Sequence, residues 1–462
     1  MKLLLLLFLL GCSITVFAQT QNIAPFKQGD RIVFTGNSIT DGGHYHSYIW
    51  LYYLTHYPER NISIFNAGIG GDVAQQMYER LDTDIFGHQP NIVTLTFGMN
   101  DTGYQNLKGA KADSVYKARV AVSLASFKLI ENKLNQHPEV KKIMIASSPY
   151  DETSKLKNIV FAGKNDAMLK IADDQKRAAT AHKWAFLDLN NPMVQIARHE
   201  QQRDSAFSFQ NGDRIHPTND GQMVMAYLFL KAQGLANKNV AKMVVNTATK
   251  AIELADNCTV SNTTFAPTSI KFSYLAKSLP YPTDTIPTGW GNPKKSQRDA
   301  LKVIPLTEEF NQEVLVVKGL RSGNYALKID GKAIGSFKAG DLERGINLAV
   351  INITPQYQQA LAVMQLNEER WEVERRLREY YWVHYSILKP KGLLFNDSDA
   401  TVDSLEKYAR RDFFVGATLP TYRKARFKSV RDAWQKDIDM LTREMYIINK
   451  PVIHQFEITP LN

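Results

Sequence analysis

Arg31-Ile32-Val33-Phe34-Thr35-Gly36-Asn37-Ser38-Ile39-Thr40 is the stretch from which the architecture of this 462-residue chain can be read. Ile32 to Thr35 form a short run of β-branched and aromatic residues with little polar alternation, which suits a strand buried on both faces. Gly36 then ends the strand in a strand-to-helix turn that holds Ser38. Outward from this point, comparable runs recur at 62–66, 92–97, 142–147 and 185–189. Between them lie amphipathic stretches near 45–57, 73–86, 111–136 and 165–182, with a last helix after Pro217. Short apolar runs alternating with longer helical ones are the pattern of βαβ crossovers. Residues 24–240 are therefore expected to form a three-layer α/β/α domain on a five-stranded parallel sheet.

The pattern changes after residue 240. Pro280, Pro282, Pro287 and Pro293 with Gly289 and Gly291 make 278–294 an irregular loop, because proline cannot donate to a β-ladder. Ile270, Phe272 and Tyr274 alternate with polar neighbours, and strand-like runs at 324–329 and 332–337 flank Asp330-Gly331, a pair suited to a type I′ hairpin turn. Residues 241–352 read as a small antiparallel β module. At Thr354-Pro355 a capping threonine and a first-turn proline announce a helix. Ala360, Met364, Trp371, Leu377, Tyr381 and His384 recur along one face of it, a stripe that reads as packing. Residues 353–462 are thus a helical region, with further helices at 401–413 and 421–446 and a strand pattern at 452–458.

Composition narrows the class. Hydrophobic residues are 44% and charged residues 22% of the chain, near globular averages, so wholesale disorder is excluded. The 56 Lys and Arg against 46 Asp and Glu leave +10, but both signs are mixed along the chain, and charge alone names no partner and gives no reason to expect nucleic acid. The densest basic run, Arg423, Lys424, Arg426, Lys428 and Arg431, reads as a solvated helix face, with an anion-binding patch as the alternative. Met1-Lys2, the apolar run Leu3 to Leu10, and Val16-Phe17-Ala18 match a signal peptide over 1–18, which implies export to a periplasmic or extracellular site. Lipoprotein processing at Cys12 is the competing reading. Cleavage after Ala18 would leave Cys258 as the one cysteine, without an internal disulfide. No later run is long enough to span a bilayer.

The chemistry-bearing residues sit at strand ends. Ser38 is placed at the carboxyl edge of the sheet, where open α/β folds bind ligands; it is a candidate nucleophile, and a capping serine is the alternative. Asn66-Ala67-Gly68-Ile69-Gly70-Gly71-Asp72 lets the Gly71 N–H approach a substrate, as an oxyanion hole requires, although a tight turn explains the same string. A dinucleotide loop would need a different glycine spacing. Gly98-Met99-Asn100-Asp101 offers the Asn100 amide at the same edge, or simply a turn residue. In Asp213-Arg214-Ile215-His216-Pro217, His216 can take a proton from a serine while Asp213 orients the imidazole. A helix cap or a metal-ligand pair would use the same two residue types, but no Cys or third His lies nearby to complete a zinc site.

Taken in order, these four blocks resemble those of the SGNH hydrolases, the GDSL-type esterases and lipases, over about residues 30–235. The resemblance implies a flavodoxin-like sheet of order 2-1-3-4-5. It also implies Ser38 as nucleophile, His216 as general base, Asp213 as its orienter, and the Ser38 N–H, Gly71 N–H and Asn100 side chain as oxyanion donors. No cofactor or metal is implied. The family usually carries Asp before the serine, where this chain has Asn37. Asp41, His44 and His46 follow the serine and are candidates for the pocket wall, for surface positions or for helix caps. The expected activity is hydrolysis of an acyl, chiefly acetyl, ester on a polysaccharide or oligosaccharide. Lipid hydrolysis and glycan binding on a degenerate scaffold are the alternatives.

Overall fold

Ile32 and Phe34 of β1 (Arg31–Gly36) enter one apolar core and Val33, between them, enters another, as the alternation of side chains along a strand dictates. This sorting makes the first domain three-layered. The computed structural model describes residues 23–210, 212–288 and 294–461. The expected signal peptide, Cys12, and the loop residues Gly289, Gly291 and Pro293 lie outside the described residues. Strand β1 pairs in parallel with β2 (Ser63–Gly68) and β3 (Ile92–Phe97), and β4 (Lys141–Ala146) and β5 (Ala185–Asp188) extend the sheet in the order β2-β1-β3-β4-β5. The turn after β1 opens α1 (Ser38–Asp41), followed by α2 (Tyr45–His56), α3 (Ala74–Glu79), α4 (Gly109–Asn135), α5 (Lys164–His182), α6 (Asn190–Glu200) and α7 (Asn219–Ala232). Helices α2 and α7 cover the Ile32 face, and α3 and α4 cover the Val33 face.

One helical expectation needs correction. The stretch read as one helix over 73–86 is α3, a wider π-helical turn at Leu81–Ile85 and a 3-10 turn at Phe86–His88. Arg80, fully buried at the junction, donates to Asp72 at 2.7 Å, Asp84 at 2.6 Å and the Gly36 carbonyl at 3.1 Å. Directing Arg80 and Asp84 inward together interrupts the regular turn, and apolar periodicity carries no sign of it. Helix α6, not among the helices expected from the sequence, carries Pro192 in its first turn, where a proline forfeits no helical bond.

Beyond the first domain, β6 (Ala241–Asn246), β7 (Ala251–Asp256), β8 (Cys258–Ala266), β9 (Ser269–Ala276), β10 (Glu313–Lys318), β11 (Asn324–Ile329), β12 (Lys332–Lys338), β13 (Ile346–Asn347) and β14 (His454–Leu461) build two sheets around a shared core. Their orders are β13-β10-β6-β7 and β12-β11-β14-β9-β8. The expected antiparallel pairing holds among the described strands of this module except at β6/β10, which pair in parallel. Strand β14 inserts between β11 and β9, so the last strand completes a sheet begun about 190 residues earlier. Asp330 and Gly331 have φ of +51° and +79°, the left-handed pair a type I′ turn demands.

Short α8 (Leu306–Phe310) and α9 (Ala339–Arg344) precede α10 (Pro355–Trp382), where Thr354 accepts from the Tyr357 N–H as N-cap. Three helices follow, α11 (Asp399–Ala409), α12 (Phe413–Ala425) and α13 (Lys428–Ile448), where two were expected. Pro420 lies inside α12. Val363 and Met364 of α10 and Met445 of α13 belong to the same core as α2 and β1, so these helices are built into the first domain. The basic run, expected on one helix face, spans the junction of α12 and α13, where Arg423 meets Glu406 at 2.5 Å, Arg426 meets Asp399 at 2.6 Å, Lys428 meets Asp432 at 2.8 Å and Arg431 meets Asp397 at 3.4 Å. Among the described residues no helix is long and apolar enough to cross a membrane.

Candidate active site

Ser38 owes its position to its neighbours. Asn37, 1% exposed, caps α1 by accepting the Ile39 N–H at 3.0 Å, which aims Ser38 out of the sheet edge as the first helical residue. Asparagine thus performs the cap that an aspartate would, without burying a charge. Gly68 at the end of β2 is required by contact, since a Cβ there would fall 2.2 Å from the Asp41 backbone nitrogen.

The structure brings Ser38, His216 and Asp213 together. Ser38 Oγ lies 2.8 Å from His216 Nε2, across 178 residues of sequence, and His216 Nδ1 lies 2.6 Å from Asp213 Oδ2. A carboxylate only accepts, so Nδ1 carries the proton and Nε2 faces the serine hydroxyl as an acceptor. Asp213 Oδ1 takes the N–H groups of Ile215 at 2.8 Å and His216 at 3.0 Å. Burial raises the Asp213 pKa, but the bond and charge of His216, with the two N–H groups, outweigh it and hold the carboxyl below its ordinary range. Between them Arg214, 1% exposed with φ +67°, donates to the carbonyls of Asp151, Ser154, Leu156 and Asn158. This buried anchor holds the loop in a strained left-handed conformation, and sequence reading passed it over.

The two candidate donor blocks are equally braced. Gly71 has φ +89°, and a Cβ added there would meet no atom within 4 Å, so its glycine answers to backbone conformation rather than to space. Asn100 donates to the Asp72 carbonyl at 2.9 Å and accepts from the Tyr104 hydroxyl, which sets the orientation of its amide. Beneath it Asp101 accepts from Gly98 N at 2.9 Å, Ala74 N at 3.0 Å and Ser123 Oγ at 2.7 Å. Lys164 donates to the Met99 carbonyl at 2.5 Å and the Gly103 carbonyl at 2.8 Å, and burial lowers its pKa to about 7.

A cavity of about 630 Å³ opens over Ser38 and His216. Its floor is the sheet edge; its roof is α10 and α12, through Met364, Trp371, Trp382 and Phe414. Asp41 and His44 line it, whereas His46 is buried in the core, bonded to the Thr40 carbonyl at 3.1 Å and kept neutral by burial, which lowers its pKa to about 4. His44 stacks on Trp371 with ring centres 4.2 Å apart. Desolvation pushes Asp41 up to about 6 against the pull of Arg378 and the Gly70 N–H. Among the described residues no group of three or more His, Cys, Asp or Glu is placed to hold a metal ion. The stripe on α10 read as packing therefore also supplies cavity wall, through Met364 and Trp371.

Residues 34–224 match the GDSL-like Lipase/Acylhydrolase family, and residues 361–450 match the diltiazem deacetylase C-terminal helical domain. The solved structure of BT4096, a gut microbial diltiazem-metabolizing enzyme, is 46% identical, covers 96% of this chain and 100% of its own, and superposes with a TM-score of 0.92. The chain belongs to the GDSL-like lipase/acylhydrolase family. An acetylxylan esterase of Geobacillus stearothermophilus is 26% identical over 226 residues, 45% of this chain and 94% of that protein. This family member is an acylhydrolase, an esterase of the deacetylase type.

Proposed function

We propose that the protein releases acetate from acetyl esters by a two-step acyl transfer through Ser38. The observation that carries this reading is the hydrogen-bonded chain Ser38–His216–Asp213, at 2.8 Å and 2.6 Å, opening onto one cavity. Ser38 Oγ bonds to the ester carbonyl carbon as its proton passes to His216 Nε2, and the carbonyl oxygen becomes an oxyanion that takes hydrogen bonds from the Ser38 N–H, Gly71 N–H and Asn100 amide. Collapse breaks the bond to the leaving alkoxide, which takes the proton from His216. Water, deprotonated by His216, then attacks the acetyl-serine, acetate departs and Ser38 regains its proton. An ionised Asp213 stabilises the imidazolium in both steps.

For the alcohol, two readings have support. The roof of α10 and α12 favours a compact molecule that fits a cavity of about 630 Å³, and the relative at 46% identity metabolizes diltiazem. An acetylated oligosaccharide is the second, supported by the relation to an acetylxylan esterase. In either case Asp41, Asp284, Glu368, Glu369, Glu372 and Glu379 outnumber Arg375 on the cavity wall, which favours neutral or cationic alcohols over anionic ones. An acetate-release assay on diltiazem, acetylated xylo-oligosaccharides and a long-chain nitrophenyl ester, with Ser38→Ala as control, separates these readings from lipid hydrolysis. Acetate release that persists in Ser38→Ala, or binding of intact esters without release by the wild type, would refute the mechanism. Export with cleavage after Ala18 is part of the proposal; amino-terminal sequencing of the exported protein should begin at Gln19.

A further inference from the structure

Trp382, at the end of α10, donates its indole N–H to the Gly70 carbonyl oxygen at 3.0 Å. That carbonyl and the Gly71 N–H belong to the same planar peptide unit, so whatever holds the oxygen also sets the direction of the hydrogen. Side-chain sterics do not hold it, because Gly71 has none and stands in open space at φ +89°. A bonded carbonyl also polarises its amide and strengthens the N–H as a donor.

Trp382 is one of three evenly spaced holds. Glu374 accepts the Asn66 N–H at 2.9 Å; Arg378 donates to the Gly68 carbonyl at 3.1 Å and 3.0 Å while its other contacts bind Asp84 at 2.8 Å; Trp382 takes Gly70. Positions 374, 378 and 382 stand about 6 Å apart along the helix, and they meet Asn66 and Gly68 of β2 and then Gly70 in the turn that follows the strand. From the first domain, Asp41 adds a fourth hold by accepting the Gly70 N–H at 3.1 Å. We infer that α10 is a splint along the end of β2 and that Trp382 is a positioning residue for the oxyanion donor at Gly71. The inference rests on the proposed role of Gly71 in the hole.

Trp382→Phe keeps a ring in the cavity wall and removes the N–H. With p-nitrophenyl acetate, kcat should fall about 10- to 100-fold, as expected when a donor is displaced rather than deleted, while KM moves less than about threefold. Affinity for phenylboronic acid, which forms a tetrahedral serine adduct, should fall by the same factor as kcat/KM. A residue that merely shapes the wall would raise KM and leave the boronate comparison unmatched, which would overturn the inference, as would a kcat within threefold of wild type. Should Trp382→Phe not fold, Trp382→Leu is read by the same criteria. Asn100→Ala, run alongside, separates the two levels: full turnover in that variant undermines the oxyanion reading itself, whereas a slow Asn100→Ala with a normal Trp382→Phe undermines only the splint.

Discussion

Replacing Asn100 by alanine tests the oxyanion hole with a magnitude the structure constrains. The Asn100 amide nitrogen spends one hydrogen on the Asp72 carbonyl at 2.9 Å, and the Tyr104 hydroxyl holds the amide oxygen, so the second hydrogen has a defined direction. Losing one preorganised donor of this kind costs about 2.7–4 kcal/mol of barrier, or roughly 100- to 1000-fold in kcat. The structural cost is smaller. The Asp72 bond is worth about 1 kcal/mol, and the Tyr104 hydroxyl is exposed enough to be rehydrated, so melting should drop by only a few degrees. Stopped-flow measurement of the nitrophenol burst isolates acylation, the step in which the oxyanion first forms. An acylation rate within about fivefold of wild type, or a change confined to KM, would refute the assignment. Tyr104→Phe is the graded control: it frees the amide to turn without removing it and should cost about tenfold at most, in keeping with one hydrogen bond.

Other consequences follow from the same contacts. Asp213→Asn should lower kcat about 10⁴-fold, because the neutral amide no longer dictates the His216 tautomer, and a loss below tenfold would remove Asp213 from the mechanism. The depressed Asp213 pKa contributes stability above the ordinary aspartate range that is lost as pH falls through the folded value, so Asp213→Asn should also flatten the acid side of a denaturation profile. Glu313 shows the opposite sign. Burial raises it from 4.5 to about 7 despite bonds from Tyr274 and Gln356, so its contribution is complete below pH 4.5 and gone above about pH 7. Glu313→Gln should therefore narrow the difference in urea stability between pH 4.5 and pH 8 by roughly 3 kcal/mol, and an unchanged difference would show that Glu313 titrates normally.

Local patterns made the first domain legible. Each of its five strands is a short apolar run, and each motif block lies within a few residues of a strand end or helix start, so hydrophobic period placed the blocks along the sheet edge, while the roles of Ser38, Gly71, Asn100, Asp213 and His216 came with the resemblance to the SGNH hydrolases. Features that depend on a remote partner were not legible. The α-helix gives way to a π turn at Arg80, whose guanidinium finds Asp72 and Asp84.

The role of α10 marks the boundary most clearly. Sequence by itself determined that residues from 355 onward make a helix with an aromatic stripe, because capping and period are properties of neighbours along the chain. Only the tertiary structure decided that Glu374, Arg378 and Trp382 face the end of β2 and that α10 roofs Ser38. Their partners at the end of β2 are main-chain N–H and C=O groups, which nearly every residue possesses and which leave no mark in the identity of the side chains.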